Sequence, residues 1–209
     1  MSKNLRLVLL GDSDIAYWPA DLYPIFPTTS IKEPRISSGH SGATLRDLAP
    51  HLGRILQDHV NEELLFVLCA GENDIGEGLS LDNSVSALEK LLEMVLASSQ
   101  KHQMIFLGPK FEPWQENDVG AKKKYSEMSR SFHRCLSRQE NVNCLHFVDC
   151  LTMFCGESAT IPGAVLGGRA SAEFKYFQSD LLHLSIHGYR IWKEVVEQKI
   201  KEILVIQST

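Results

Sequence analysis

The stretch Leu5–Asp14, LRLVLLGDSD, decides how the rest of the chain is read. Leu5–Leu10 is apolar at every position but Arg6, stops at Gly11, and is followed by Asp12, Ser13 and Asp14. A nearly continuous apolar run of this length marks a strand covered on both faces. Further strand candidates are Arg35–Ser37, Leu64–Ala70, Met104–Leu107 and Leu145–Val148. Between and after them, apolar residues recur every three to four positions over 44–57, 83–98, 121–138 and 187–205, the spacing of amphipathic helices.

Strands alternating with helices predict βαβ units and a parallel sheet. The expectation is one domain over residues 1–209, a three-layer α/β/α sandwich on a flavodoxin-like, doubly wound parallel sheet of about five strands. The 209 residues, 44% of them hydrophobic, suffice for a substantial core. A net charge of −5 and the lack of a basic patch argue against nucleic acid, and Lys122–Lys124 reads as a solvated face near a helix start. No apolar run is long enough to span a bilayer, and the N-terminal run lacks the pattern of a secretory signal. Five cysteines, an odd number with no C-x-x-C, fit reduced thiols and a cytoplasmic location. Cys150, Cys155 and His146 match no common zinc spacing and read as packing residues. Neither a metal nor an organic cofactor is expected, and the sequence does not reveal the oligomeric state.

In doubly wound sheets ligands sit beyond the carboxyl ends of the strands. There the sequence places polar, glycine-rich loops: Gly11–Ser13, Ser38–Gly42, Gly71–Asp74, Gly108–Lys110, and the segment after Asp149. Ser13 can be a nucleophile exposed by a turn, or the cap of a short helical turn. Asp180-x-x-His183 can bring a carboxylate to an imidazole Nδ1 and leave Nε2 free as a base, or it can be a surface acid before a helix. Gly42, ahead of the plausible N-cap Thr44, can offer a backbone N–H to an oxyanion or simply form a turn. Asn73 can offer its side-chain amide or form an Asx-turn. Asp12 reads as a brace for its own loop, Asp149 as a cap, and His187 as part of the last helix and not as a base.

Taken in order, these features resemble the SGNH hydrolases, the GDSL-like esterase and lipase superfamily. The matching blocks are Gly11-Asp12-Ser13, the Gly42 loop, Gly71-Glu72-Asn73-Asp74, and Asp180-x-x-His183 followed by Leu184 and Gly188-Tyr189. The resemblance implies a serine hydrolase of carboxylic esters acting on a small-molecule substrate. Ser13 would be nucleophile, His183 base and Asp180 its orienter, with Ser13, Gly42 and Asn73 as oxyanion-hole donors. Asp14 departs from the usual Leu or Thr, which puts a second carboxylate by the site and bears on substrate charge preference.

Three rival readings stand beside this one: an acyltransferase using the same residues, a Mg-dependent phosphotransferase using Asp12 and Asp14, and a non-catalytic ligand-binding module. Aromatic residues near the site loops (Tyr17, Trp18, Phe111, Trp114, Phe174, Tyr176, Phe177) are either cleft walls or core caps. The segment 150–179 is either a lid or a short helix on the sheet edge. The lack of an extended apolar lid leans towards small or short-acyl esters, O-acetyl groups among them.

Overall fold

The computed structural model describes residues 5–25, 35–99, 101–138, 144–155 and 172–206. Its centre is a five-stranded, all-parallel sheet in the order β2-β1-β3-β4-β5. The strands are β1 (Leu5–Gly11), β2 (Ile36–Gly39), β3 (Glu63–Cys69), β4 (Gln103–Leu107) and β5 (Leu145–Val148). This is the flavodoxin-like order, and each expected strand is present within two residues of its expected ends. β1 and β4 are buried at every residue, and β3 at all but Glu63, because helices cover both faces.

The helices are α1 (Ser13–Ala16), α2 (Leu45–Asp58), α3 (Glu72–Gly76), α4 (Leu81–Ser98), α5 (Val119–Arg138), α6 (Cys150–Phe154) and α7 (Ile186–Ile206). α2, α4 and α5 lie side by side, as expected when successive right-handed crossovers run from β2 to β5. The β1-to-β2 connection runs the other way and so lies on the opposite face. There Trp18 packs on Trp192 and Tyr189 of α7, with ring centroids 5.5 and 5.7 Å apart.

Capping residues fix where the long helices begin. Thr44, the expected cap, precedes α2 and donates its N–H to Asp47 Oδ2 at 3.0 Å. Ser80 caps α4 by accepting the Asn83 N–H. Asp149 accepts the Thr152 N–H at 3.2 Å and starts α6, as the sequence suggested. Of the segment 150–179, the described part forms α6 and a 3-10 turn at Phe174–Tyr176; the remainder, with Gly156, Gly163, Gly167 and Gly168, lies outside the described residues. The lysine run needs a correction. Lys123 and Lys124 are exposed, but Lys122 is buried, its ammonium 5.8 Å from the centre of the Phe111 ring. Its long aliphatic stem lets it cover apolar surface there. Among the described residues, no helix is long and apolar enough to cross a membrane.

Candidate active site

The loops after β1, β2 and β3 meet at one end of the sheet. Gly11 and Gly39 pair across β1 and β2. A Cβ on Gly11 would lie 2.2 Å from Cys69 O, and one on Gly39 would lie 2.1 Å from Ala16 N. Only glycine lets the three strand ends and α1 come this close. Asp12 then caps α1, accepting the Asp14 N–H at 3.0 Å, so its role as a brace is observed directly. Ser13 is the first residue of that helix, half-buried, and not its cap.

Gly42 is exposed with φ +78°, a left-handed turn that favours glycine. The turn is closed by Ala43 N–H donating to His40 O at 3.0 Å. Asn73 sits in α3 instead of an Asx-turn. Its Nδ2 donates to Ala43 O at 3.0 Å and makes a longer 3.5 Å contact with Asp12 Oδ2. The Asn73 amide therefore lies one residue from Gly42 and one residue from Ser13. Among the described residues, the backbone N–H groups of Ser13 and Gly42 donate to no protein acceptor. First-turn helix amides are free in this way by construction.

Asp180 and His183 share one tight loop. Phe177 and Leu184 form an antiparallel bridge, and Gln178 N–H donates to His183 O at 2.8 Å. Inside the loop Leu181 has φ +55°, a conformation that is strained for a branched side chain. Asp180 Oδ1 accepts the N–H groups of Leu182 and His183, while Oδ2 lies 2.7 Å from His183 Nδ1. Burial acts to raise the Asp180 carboxyl, but the imidazole and the two backbone donors outweigh it and hold it at about 2. The imidazole stands edge-on to Tyr17, with centroids 5.0 Å apart. Tyr17 ends the helical turn that Ser13 begins, its N–H donating to Ser13 O at 2.9 Å. His183 is thereby held beside the Ser13 turn. Among the described residues, no hydrogen bond joins Ser13 Oγ to the ring; such contacts often close only when substrate binds. His187 is exposed in the first turn of α7, and among the described residues it makes no ion pair with a carboxylate.

Asp14 is buried, which argues against a direct part in substrate charge preference. It is 2% exposed, and its Oδ2 lies 2.6 Å from the ammonium of Lys110, itself 2% exposed. The Lys110 Nζ also lies 3.6 Å from Glu72 Oε1 and 3.6 Å from Glu112 Oε1. Tyr125 and Trp114 donate to Glu112 Oε2 at 3.0 and 2.8 Å. Asp12, Asp14 and Cys69 come close enough together to suggest a metal site, but the group is buried and Lys110 supplies the cation. That leaves little support for the phosphotransferase reading. Charged residues usually read from sequence as surface, so a buried group of Lys110, Glu72 and Glu112 is not apparent there; the apolar flanks of Lys110, Gly108-Pro109 and Phe111, are the available signal.

Burial raises Glu72 to about 7 despite the nearby Lys110 ammonium, and burial pushes Asp12 up as well. A carboxyl raised on folding contributes stability that is full below its unfolded value and is lost as pH rises through its folded value. The wild type is therefore expected to lose stability between about pH 4.5 and pH 7 through Glu72. Glu72→Gln should flatten that part of the profile, which melting temperatures at pH 5, 6, 7 and 8 would test.

The aromatic candidates divide. Tyr17, Trp114 and Phe174 are exposed, Tyr176 is half-buried, and Trp18, Phe111 and Phe177 belong to the core.

No protein-family model and no curated protein matches the chain. Solved structures do. A lipase/acylhydrolase from Enterococcus faecalis has TM-score 0.64 at 16% identity, covering 95% of this chain and 96% of that one. A member of the lipolytic G-D-S-L family from Veillonella parvula has TM-score 0.68 at 14% identity, covering 91% and 94%. A carbohydrate esterase of family 3 from Talaromyces cellulolyticus has TM-score 0.69 at 15% identity, covering 98% and 99%. The chain has the fold of the GDSL/SGNH lipases and esterases, in agreement with the resemblance carried by its sequence blocks.

Proposed function

We propose that this chain is a serine hydrolase of the SGNH type that cleaves carboxylic esters of small or short-acyl substrates, O-acetyl groups among them. The observation that carries the reading is the Asp180–His183 pair, closed at 2.7 Å and packed through Tyr17 against the turn that Ser13 begins. Asp180 holds Nδ1, which leaves Nε2 to take the Ser13 proton as Oγ attacks the ester carbonyl. The Ser13 and Gly42 N–H groups receive the oxyanion together with the Asn73 amide, whose Nδ2 lies beside both loops, 3.0 Å from Ala43 O and 3.5 Å from Asp12 Oδ2. His183 then protonates the departing alkoxide, and water attacks the acyl-enzyme by the same route in reverse. Carbohydrate esterases and lipase/acylhydrolases among the fold neighbours support ester chemistry and leave the alcohol open. Five free, buried cysteines support a reducing, cytoplasmic setting.

Hydrolysis of p-nitrophenyl esters from acetyl to dodecanoyl, in EDTA, tests this with the wild type and Ser13→Ala. The expected result is turnover that persists in EDTA, favours short acyl chains and vanishes in the variant. Turnover that survives in Ser13→Ala, or that EDTA removes, would overturn the reading.

A further inference from the structure

We infer that Lys110 is a positioning residue for this reaction, its buried ammonium tying the Ser13 turn to the Asn73 helix. The inference rests on the ester-hydrolase reading above and concerns a residue outside the four sequence blocks.

Three loops converge on one side chain. Lys110 follows β4, and its Nζ reaches Asp14, the neighbour of Ser13, at 2.6 Å. The same ammonium lies 3.6 Å from Glu72, the neighbour of Asn73, and the Lys110 backbone N–H donates to that carboxylate at 2.9 Å. Nucleophile and oxyanion amide are therefore each one residue from a carboxylate held by Lys110. On its other side α1 is fixed by Tyr189 of α7, whose hydroxyl donates to Asp14 O at 2.9 Å. A side chain anchored at Lys110 and a carbonyl anchored at α7 leave a four-residue helix little room to move.

The charge balance makes this dependence strong. Asp12, Asp14, Glu72 and Glu112 are all buried around this point. Among the described residues, no other Lys or Arg lies within 4.0 Å of these carboxylates. Asp14 Oδ1 and Glu72 Oε2 have no hydrogen-bond partner in the protein, so the ammonium is their main compensation. Without it no group bridges Asp14 and Glu72, so the turns that carry them lose their link even where the charge imbalance is relieved.

Lys110→Met keeps the stem and removes the charge. It is expected to lower kcat about 100-fold with KM changed less than about threefold, the signature of misaligned groups in place of lost binding. Amide hydrogen exchange should rise in residues 13–17 and 72–76 and stay unchanged in β1 and β3. Because Lys110→Met alone can fail to fold, Asp14→Asn/Lys110→Met removes both charges of the closest pair. Its melting temperature should return towards the wild type, while kcat stays low and both segments still exchange fast. Recovery of kcat together with stability in the double variant would reduce Lys110 to charge balance and overturn the inference. So would exchange that rises evenly across the sheet. If the wild type hydrolyses no ester, the functional reading fails on its own, and the exchange pattern alone decides whether Lys110 joins the two turns.

Discussion

Asp180→Asn is expected to lower kcat by about 10⁴-fold at neutral pH, the typical cost of losing the carboxylate that orients a catalytic histidine. The geometry explains why so small a change is so costly. Asp180 Oδ2 makes a 2.7 Å hydrogen bond with His183 Nδ1, while Oδ1 accepts the Leu182 and His183 N–H groups. An asparagine that keeps its oxygen on the two N–H groups turns its NH₂ towards Nδ1. The imidazole must then carry its proton on Nε2, where a base is needed. Since the Asp180 carboxyl is held at about 2, it stays ionised over the working range, and its own titration contributes nothing to a pH–rate profile above about pH 4. Any stability gained from its lowered value is present at neutral pH and lost only as pH falls from about 4 through 2; at this exposed site that contribution is small. Steady-state kinetics of the two proteins between pH 5 and 9 is the check. A loss under about tenfold would mean that another group orients His183.

Gly39→Ala should be the most damaging single methyl in the described fold. The added Cβ would stand 2.1 Å from Ala16 N, 2.4 Å from Ala16 Cα and 2.7 Å from Ile15 C. All three are backbone atoms, so no rotamer change relieves the clash, and either α1 or β2 must move. Overpacking of this kind costs about 1–3 kcal/mol, which for a chain of this size lowers Tm by about 2–12 °C. Displacing α1 also moves Ser13, and kcat should fall about 100-fold or more. Gly53→Ala is the control: its Cβ would meet only Met94 Cε, at 3.5 Å, within α2. Replacing a helical glycine by alanine should hold or raise Tm by removing backbone freedom from the unfolded chain. Thermal melts and kinetics of both variants separate the two glycines; equal Tm values would contradict this account.

How much could be seen in advance depended on how each residue is used. β1, β3 and β4 were legible because a strand buried on both faces must be almost wholly apolar. The long helices were legible from their period, and α2 also from Thr44. α1 and α3 were not, since four or five residues are too few to show a period; α6 was foreshadowed only by Asp149 as a cap and by the short helix allowed for 150–179. Ser13 thus turned out to begin a helix capped by Asp12. The Asp180–His183 pairing was legible from its spacing, but the left-handed Leu181 that closes the loop was not, because leucine does not announce that conformation. The buried charges were read least well. Asp14 reads from sequence as a carboxylate by the site and Lys110 as part of a polar loop at the carboxyl edge of the sheet, whereas each is the other's closest partner at 2.6 Å. Their pairing joins residues far apart in the chain; the apolar flanks of Lys110 hint at burial, but nothing local identifies the partner. Tyr189 belongs to the last sequence block, and its hydroxyl reaches across to Asp14 O and fastens α7 to the Ser13 turn.

The most direct test of the central claim is covalent. A fluorophosphonate, which phosphonylates an activated serine and expels fluoride, is incubated with the protein, and the adduct is located by intact mass and peptide mapping. One adduct on Ser13 is expected, absent from Ser13→Ala and formed far more slowly in His183→Ala. A protein that hydrolyses esters but carries the label elsewhere, or carries none, would contradict the assignment of Ser13 as nucleophile.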